Sequence, residues 1–410
     1  MAENNAALGP SRRSSLEIWA GATACYYVTA VIAGIGFSAG LILFKPGIAA
    51  RHAAPDGSTD FFQAVRYFGG QWYAGIADEG YSYDPADRSN VAFFPVYPLL
   101  ARATAALTGI RTETALLLVS NACFLCALAV LGLYVEQRGP VPRPRMADCA
   151  MLAAAVFPAG CFFRLAYTES TFLLLSVLAL YALHRQWPIW WTTLIVAVAT
   201  ATRPVGVALV LPLAMHAWSV RRRSAPLWIL LGCGGLAAYM LWQWSEFGDA
   251  FAFVKTQQFW ALRSPAPPWP ERLVALLTLE PVFAVYDQGP RPYWRAVDDH
   301  GAPWLSLQFA NPIFFLGAAC LLAVSGWKRW LTRYELALAA PLLIIPYFTR
   351  GYEMGMASSA RFVSVVAPLY IAASHVMREV APMYLALLAA LLSLFMAMYA
   401  ALYAGGYMIF

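Results

Sequence analysis

Apolar stretches of membrane-spanning length recur along this chain, and they constrain its fold more than any other feature. The clearest are residues 19–44, 113–135, 226–244, 304–326 and 380–407. Each is long enough, as a helix, to cross a hydrocarbon core about 30 Å thick. A crossing segment must satisfy its own backbone N–H and C=O groups, which for runs of this kind means a helix. Composition agrees: 60% of the 410 residues are hydrophobic and 12% are charged, about half the charged share of a soluble domain. A soluble enzyme is therefore excluded. The net charge of +6 is distributed as a topology signal, so it does not point to nucleic acid.

Lys and Arg gather in short linkers: Arg12 and Arg13; Arg138, Arg143 and Arg145; Arg185; Arg221, Arg222 and Arg223; Lys328, Arg329 and Arg333; Arg378. Cytoplasmic loops carry an excess of these residues. Placing all these linkers inside predicts eleven spans, near 18–44, 112–135, 147–164, 168–184, 187–202, 204–220, 226–244, 304–326, 334–348, 360–377 and 380–407. Residues 1–410 then form a single all-α, multi-pass domain of the cell membrane, with the N-terminus in the cytoplasm. Two large segments, 45–111 and 245–303, lie outside. A span at 93–110 would turn Arg221, Arg222 and Arg223 outward, so that stretch reads as an interfacial helix. Residues 271–286, with Glu280 and Pro281 at their centre, read as a surface or re-entrant helix. The first apolar segment is too long for a signal-peptide core and reads as a retained span. Cys123 and Cys126 lie in an apolar helix and read as packing residues. The five histidines are widely spaced, and no metal or other cofactor is expected.

A charged group in a bilayer is costly unless it is paired or faces water, so each one asks for a role. Four clusters stand out, all at the predicted outer face. The first is RYFGGQWYAGIADEGYSYDPADRSNVAFFPVYPLL, residues 66–100, a short amphipathic helix followed by a polar loop and a stiff Pro-aromatic corner. The second is Glu169, beside Arg164, Tyr167 and Thr168, where an acid can also cap the helix that follows. The third is Arg203, before Pro204; a lone arginine at a helix end can equally snorkel to headgroups. The fourth holds Arg350, Glu353 and Arg361, whose planar guanidiniums suit phosphate oxygens. Together they describe acidic and basic groups converging on one outer cavity, suited to chemistry between a lipid-linked phosphate and a polar acceptor.

At these residues the chain resembles the PIG-V-like mannosyltransferases of the GT-C glycosyltransferase superfamily. The resemblance runs through W-Y-x-x-I-A-x-x-G-Y at Trp72 to Tyr81 and N-x-A-F-F-P-x-Y-P-L at Asn90 to Leu99. It continues in Y-T-E-S-x-F at Tyr167 to Phe172, T-R-P-x-G at Thr202 to Gly206 and the S-x-R-F segment that closes on Pro368 and Leu369, Ser359 to Leu369. It implies about eleven transmembrane helices, membrane-surface helices in the first outer loop and an extracytoplasmic active site. The donor would be a polyprenyl-phosphate sugar. A mannose-type sugar would pass with inversion to a glycan, lipid or protein acceptor, without metal. Trp72, Tyr73, Tyr81, Asn90, Tyr97 and Tyr167 would contribute to the substrate site, and Arg203 and Arg361 would hold the donor phosphate.

One departure matters. The family carries W-D ahead of its W-Y pair, and that aspartate is its catalytic carboxylate; here those positions are Phe68 and Gly69. Glycine cannot take a proton. Glu169 is then the leading catalytic candidate, as polar organiser or base, with Asp60 and Asp78 as replacements for the missing acid and Asp56 further off. A base must come within about 3 Å of the acceptor hydroxyl. Two other readings stay open: a non-catalytic binder of lipid-linked sugar or complex subunit, and a transporter or flippase of lipid-linked substrates.

Overall fold

The computed structural model describes residues 12–47, 49–50, 60–139, 143, 145–263, 267–287 and 307–407. Asp56 and parts of both expected outer segments lie outside them. The described residues are helical and connecting segments, with no strand among them.

Helix α1, Ser15–Leu43, begins at a reciprocal cap in which the Glu17 carboxylate accepts from the Ser14 N–H at 2.7 Å, satisfying a donor that a helix start leaves open. After it, α2 (Phe61–Val65) and α3 (Gly69–Asp78) are short, and α4 (Val96–Thr108) stops at left-handed Gly109. At 1.5 Å per residue, α4 is about 20 Å long, against a hydrocarbon core about 30 Å thick. Helix α5, Thr112–Gln137, is a long apolar helix.

The chain continues through α6 (Met146–Ala155), α7 (Glu169–His184), α8 (Ile189–Thr200) and α9 (Val210–Val220). Helices α10 (Ala225–Gly232) and α11 (Gly234–Phe247) meet at Cys233 with a 45° bend. Residues 271–286 form no single span: α12 (Trp269–Leu277) and α13 (Glu280–Ala284) are separated at Leu279, where φ is 58°. The last elements are α14 (Leu307–Trp327), α15 (Arg333–Pro346), α16 (Ser359–Ser364), α17 (Ala367–Met377) and α18 (Pro382–Ala404).

Four helices, α1, α5, α14 and α18, are long and apolar enough to cross a membrane, and the bent pair makes a fifth candidate. The protein is thus a multi-pass membrane protein. Several of the eleven expected spans are shorter or interrupted. The one expected at 147–164 is a ten-residue helix followed by a 3-10 turn, Pro158–Phe163. The one at 204–220 also opens with a 3-10 turn. Hydropathy registers apolar composition, whereas these proline-led turns end the regular helix.

One core joins α1, α5, α6, α7, α8, α15 and α17. A second core, of aromatic and small residues, gathers Phe37, Tyr73, Tyr97, Phe162, Tyr167 and Tyr403, where the segment between α1 and α5 meets α18 and the turn before α7. Close backbone approach positions α18: a Cβ added at Gly36 or Gly40 would lie 2.2 Å from the Ala397 carbonyl or 2.0 Å from that of Ala401. This spacing of small residues is how membrane helices pack without a hydrophobic drive between them.

Candidate functional site

Each charged residue of the site owes its position to a local break in a helix. Pro204 biases the residue before it toward extended backbone, and Arg203, three residues past the end of α8, adopts φ −153° and ψ 147°. Its guanidinium is thereby freed from the helix surface. Arg361 sits on short α16, which begins after Met356 and Ser358, both at positive φ. The Ala360 N–H is held by the Asn311 side-chain oxygen at 2.8 Å. Glu169 is the first residue of α7, where the helix dipole favours negative charge.

These three side chains meet. Glu169 is fully buried; its Oε1 accepts from Arg361 Nε at 2.9 Å and Nη2 at 2.7 Å, and lies 3.3 Å from Arg203 Nη1. Glu169 Oε2 has no hydrogen-bond partner among the described residues. The Arg361 guanidinium also lies over the rings of Tyr167, at 4.4 Å, and Phe162, at 4.8 Å, a cation–π arrangement that fixes its plane. Two arginines and one carboxylate leave this group with one net positive charge.

The arginines line a cavity of about 430 Å³. Gly69, Trp72 and Tyr73 face it from the segment between α1 and α5, Trp260 from the segment between α11 and α12, and Tyr167, Arg203, Arg350 and Arg361 complete the wall. Arg350 lies in a π-helical turn, Tyr347–Gly351, a feature that concentrates at functional sites. It has no hydrogen-bonded or ion-paired partner among the described residues, and burial lowers its pKa against the pull of Glu353. No carboxylate among the described residues lines the cavity.

Gly69 is explained by Tyr167. The Gly69 N–H donates to the Tyr167 hydroxyl at 3.1 Å, and a Cβ at position 69 would lie 2.5 Å from Tyr167 Cε1. Tyr167 is itself buried against Phe162 and Tyr403. A side chain at position 69 therefore needs Tyr167 to move.

Of the residues expected from sequence, Trp72, Tyr73, Tyr167, Arg203 and Arg361 line the cavity. Tyr73 reaches Thr168 at 3.4 Å between hydroxyls, and Trp72 stacks on Phe93 at 5.7 Å. Glu169 stands behind its arginines instead of on the wall. Asp60 caps α2, accepting from the Gln63 N–H at 2.7 Å. Asp78 pairs with Arg66 at 2.7 Å and accepts from the Thr112 hydroxyl. Neither faces the cavity. Asn90 ties its loop together, accepting from Ser82 N–H at 2.8 Å and donating to Gly80 C=O at 3.0 Å. Tyr81 donates to Phe93 C=O at 2.8 Å, and Tyr97 bonds Ser120 at 2.8 Å; both brace the wall without lining it. Sequence reasoning passed over Trp260 and gave Arg88 no role. Their one signal was an aromatic and a base in two segments far apart in sequence, which only the folded chain brings together. No group of His, Cys, Asp and Glu among the described residues has a metal-binding arrangement.

No protein-family model matches the chain. It is similar to GPI alpha-1,6-mannosyltransferase 2 of Rattus norvegicus, with 29% identity over 219 residues, 48% of this chain and 41% of that protein. Against the Mus musculus protein of the same name, identity is 30% over 169 residues, 37% of this chain and 32% of the relative. The matches thus span less than half the length of these curated relatives. Among solved structures, the apo oligosaccharyltransferase of Archaeoglobus fulgidus superposes with a TM-score of 0.46 at 13% identity, covering 95% of this chain and 56% of that one. The same enzyme with Zn and sulfate gives a TM-score of 0.42 at 14% identity, covering 93% and 53%.

Proposed function

We propose that this protein is an inverting membrane glycosyltransferase that moves a mannose-type sugar from a polyprenyl-phosphate donor to an extracytoplasmic glycan, lipid or protein hydroxyl. The observation that carries this reading is the convergence of Arg203, Arg350 and Arg361 on one cavity walled by Trp72, Tyr73 and Tyr167. Similarity to mannosyltransferases supports it. In this reading the chain follows an eleven-crossing path with its N-terminus inside, and the cavity opens outward.

The donor lipid stays in the bilayer while its phosphate meets the guanidiniums, whose planar forks match phosphate oxygens in pairs. The acceptor oxygen attacks the anomeric carbon opposite the phosphate. The bond from that carbon to the phosphate oxygen breaks, and its electron pair departs with polyprenyl phosphate. The arginines stabilise the charge that grows there. Glu169 is a positioning residue that holds Arg203 and Arg361 in register. The proton of the attacking hydroxyl passes to water at the exposed mouth.

The test is purified full-length protein with labelled polyprenyl-phosphate mannose and a panel of acceptors. Labelled product, lost in Arg361→Ala at unchanged protein level, is the expected result. Absence of both product and donor binding overturns the reading. A second reading, a non-catalytic binder of lipid-linked sugar, is favoured by the Gly69–Tyr167 contact and by the absence of a carboxylate among the described lining residues. Donor retained without any product selects it.

A further inference from the structure

The cavity has donors that the Glu169 group does not engage. Arg88 is exposed; its Nε donates to the Phe259 carbonyl at 2.9 Å, and its guanidinium lies 5.1 Å from the centre of the Trp260 ring. Its terminal nitrogens have no acceptor among the described residues. Trp260 is half-buried, edge-on to Trp72 at 5.1 Å and to Phe93 at 5.7 Å. Its indole N–H is buried and lacks an acceptor among the described residues. An unmade buried donor is expensive, and an indole nitrogen can only donate.

Both residues line the cavity that contains the deeper arginines. They also hold fixed positions, because the segment around residues 88–91 is stitched to the second outer segment and to α11. The Ser89 N–H donates to the Thr256 hydroxyl at 3.0 Å, and the Tyr239 hydroxyl to the Val91 carbonyl at 2.9 Å. A sugar phosphodiester donor carries one negative charge, and Arg203, Arg350 and Arg361 already face it from the deeper part of the cavity. Arg88 is then surplus, at the water-exposed end from which a polar acceptor arrives.

We infer that Arg88 and Trp260 form a subsite for an oxyanion carried by the acceptor, which makes the acceptor an acidic or phosphorylated sugar. The guanidinium and indole N–H both donate to the acidic group, while the neighbouring rings form an apolar wall for the sugar body. This inference rests on the glycosyltransferase reading and names its acceptor class.

The test uses full-length protein in lipid nanodiscs and measures equilibrium binding of mannose 6-phosphate, glucuronic acid, methyl α-mannoside and inorganic phosphate, with polyprenyl phosphate as a separate probe. At least one acidic sugar is expected to bind about tenfold or more tightly than the neutral one; which one does so separates phosphate from carboxylate. Trp260→Phe, which keeps a ring and removes the N–H, and Arg88→Gln are each expected to weaken that binding about tenfold. Both should leave polyprenyl-phosphate binding unchanged. Equal binding of acidic and neutral sugars overturns the inference. So does binding of inorganic phosphate as tight as that of the sugar phosphate, or indifference to both substitutions. If polyprenyl phosphate fails to bind while the acid preference persists, the donor reading alone falls.

Discussion

With its carboxylate fully buried and two guanidiniums on one oxygen, Glu169 cannot change without unbalancing the site. Glu169→Ala strands two buried cations, and removing one partner of such a group costs about 3–5 kcal/mol; denaturation in detergent measures the loss. Glu169→Gln keeps the shape but removes the charge, and transfer from a polyprenyl-phosphate mannose donor is expected to fall on the order of 100-fold, as for loss of a strong transition-state contact. A positioning role raises KM for donor along with lowering kcat, whereas a base acting alone lowers kcat only. Turnover like that of the wild type removes Glu169 from the mechanism. At position 69, Gly69→Ala is expected to destabilise the fold by about 1–3 kcal/mol through overpacking against Tyr167, read as a lower unfolding midpoint. Arg203, Arg361 and Glu169 were legible because charges in apolar sequence demand partners. The commitments of Asp60 and Asp78 were not, since a cap and a surface ion pair use the same carboxylate as a catalytic acid. Nor could a string of letters reveal that Tyr167 fills the space beside Gly69.

At the scale of elements, the long apolar runs translate directly into α1, α5, α14 and α18, because length and hydropathy alone decide them. The shorter runs were read as regular spans, but prolines at 158 and 204 open 3-10 turns there. The first interruption precedes Glu169, which opens α7, and the second follows Arg203, which is extended, so the irregularity builds the site. The α1–α18 contact has a direct test. Gly36→Leu drives a side chain into the Ala397 backbone, which lies 2.2 Å from an added Cβ. It is expected to lower stability by about 1–3 kcal/mol or more, while Gly34→Leu, with nothing within 4 Å of its added Cβ, stays near wild type. Equal unfolding midpoints for the two variants would contradict this packing.

For the whole molecule, orientation decides whether the cavity faces the medium outside. Single cysteines replacing Arg88 and Arg222 should differ toward a membrane-impermeant maleimide on intact cells. The first labels at once, and the second only after permeabilisation. Labelling of both from outside breaks the positive-inside topology, and the enzyme reading with it. The partners of the Glu169 group also come from far apart: Arg361 lies 192 residues beyond the acid it binds. During synthesis at about 5–20 residues per second, that separation is on the order of 10–40 s. For that interval the nascent chain carries a half-neutralised carboxylate in a bundle still missing its closing helices. The site is therefore among the last parts to mature, and a chain cut short before α16 would reach the bilayer without the clamp that Arg361 completes.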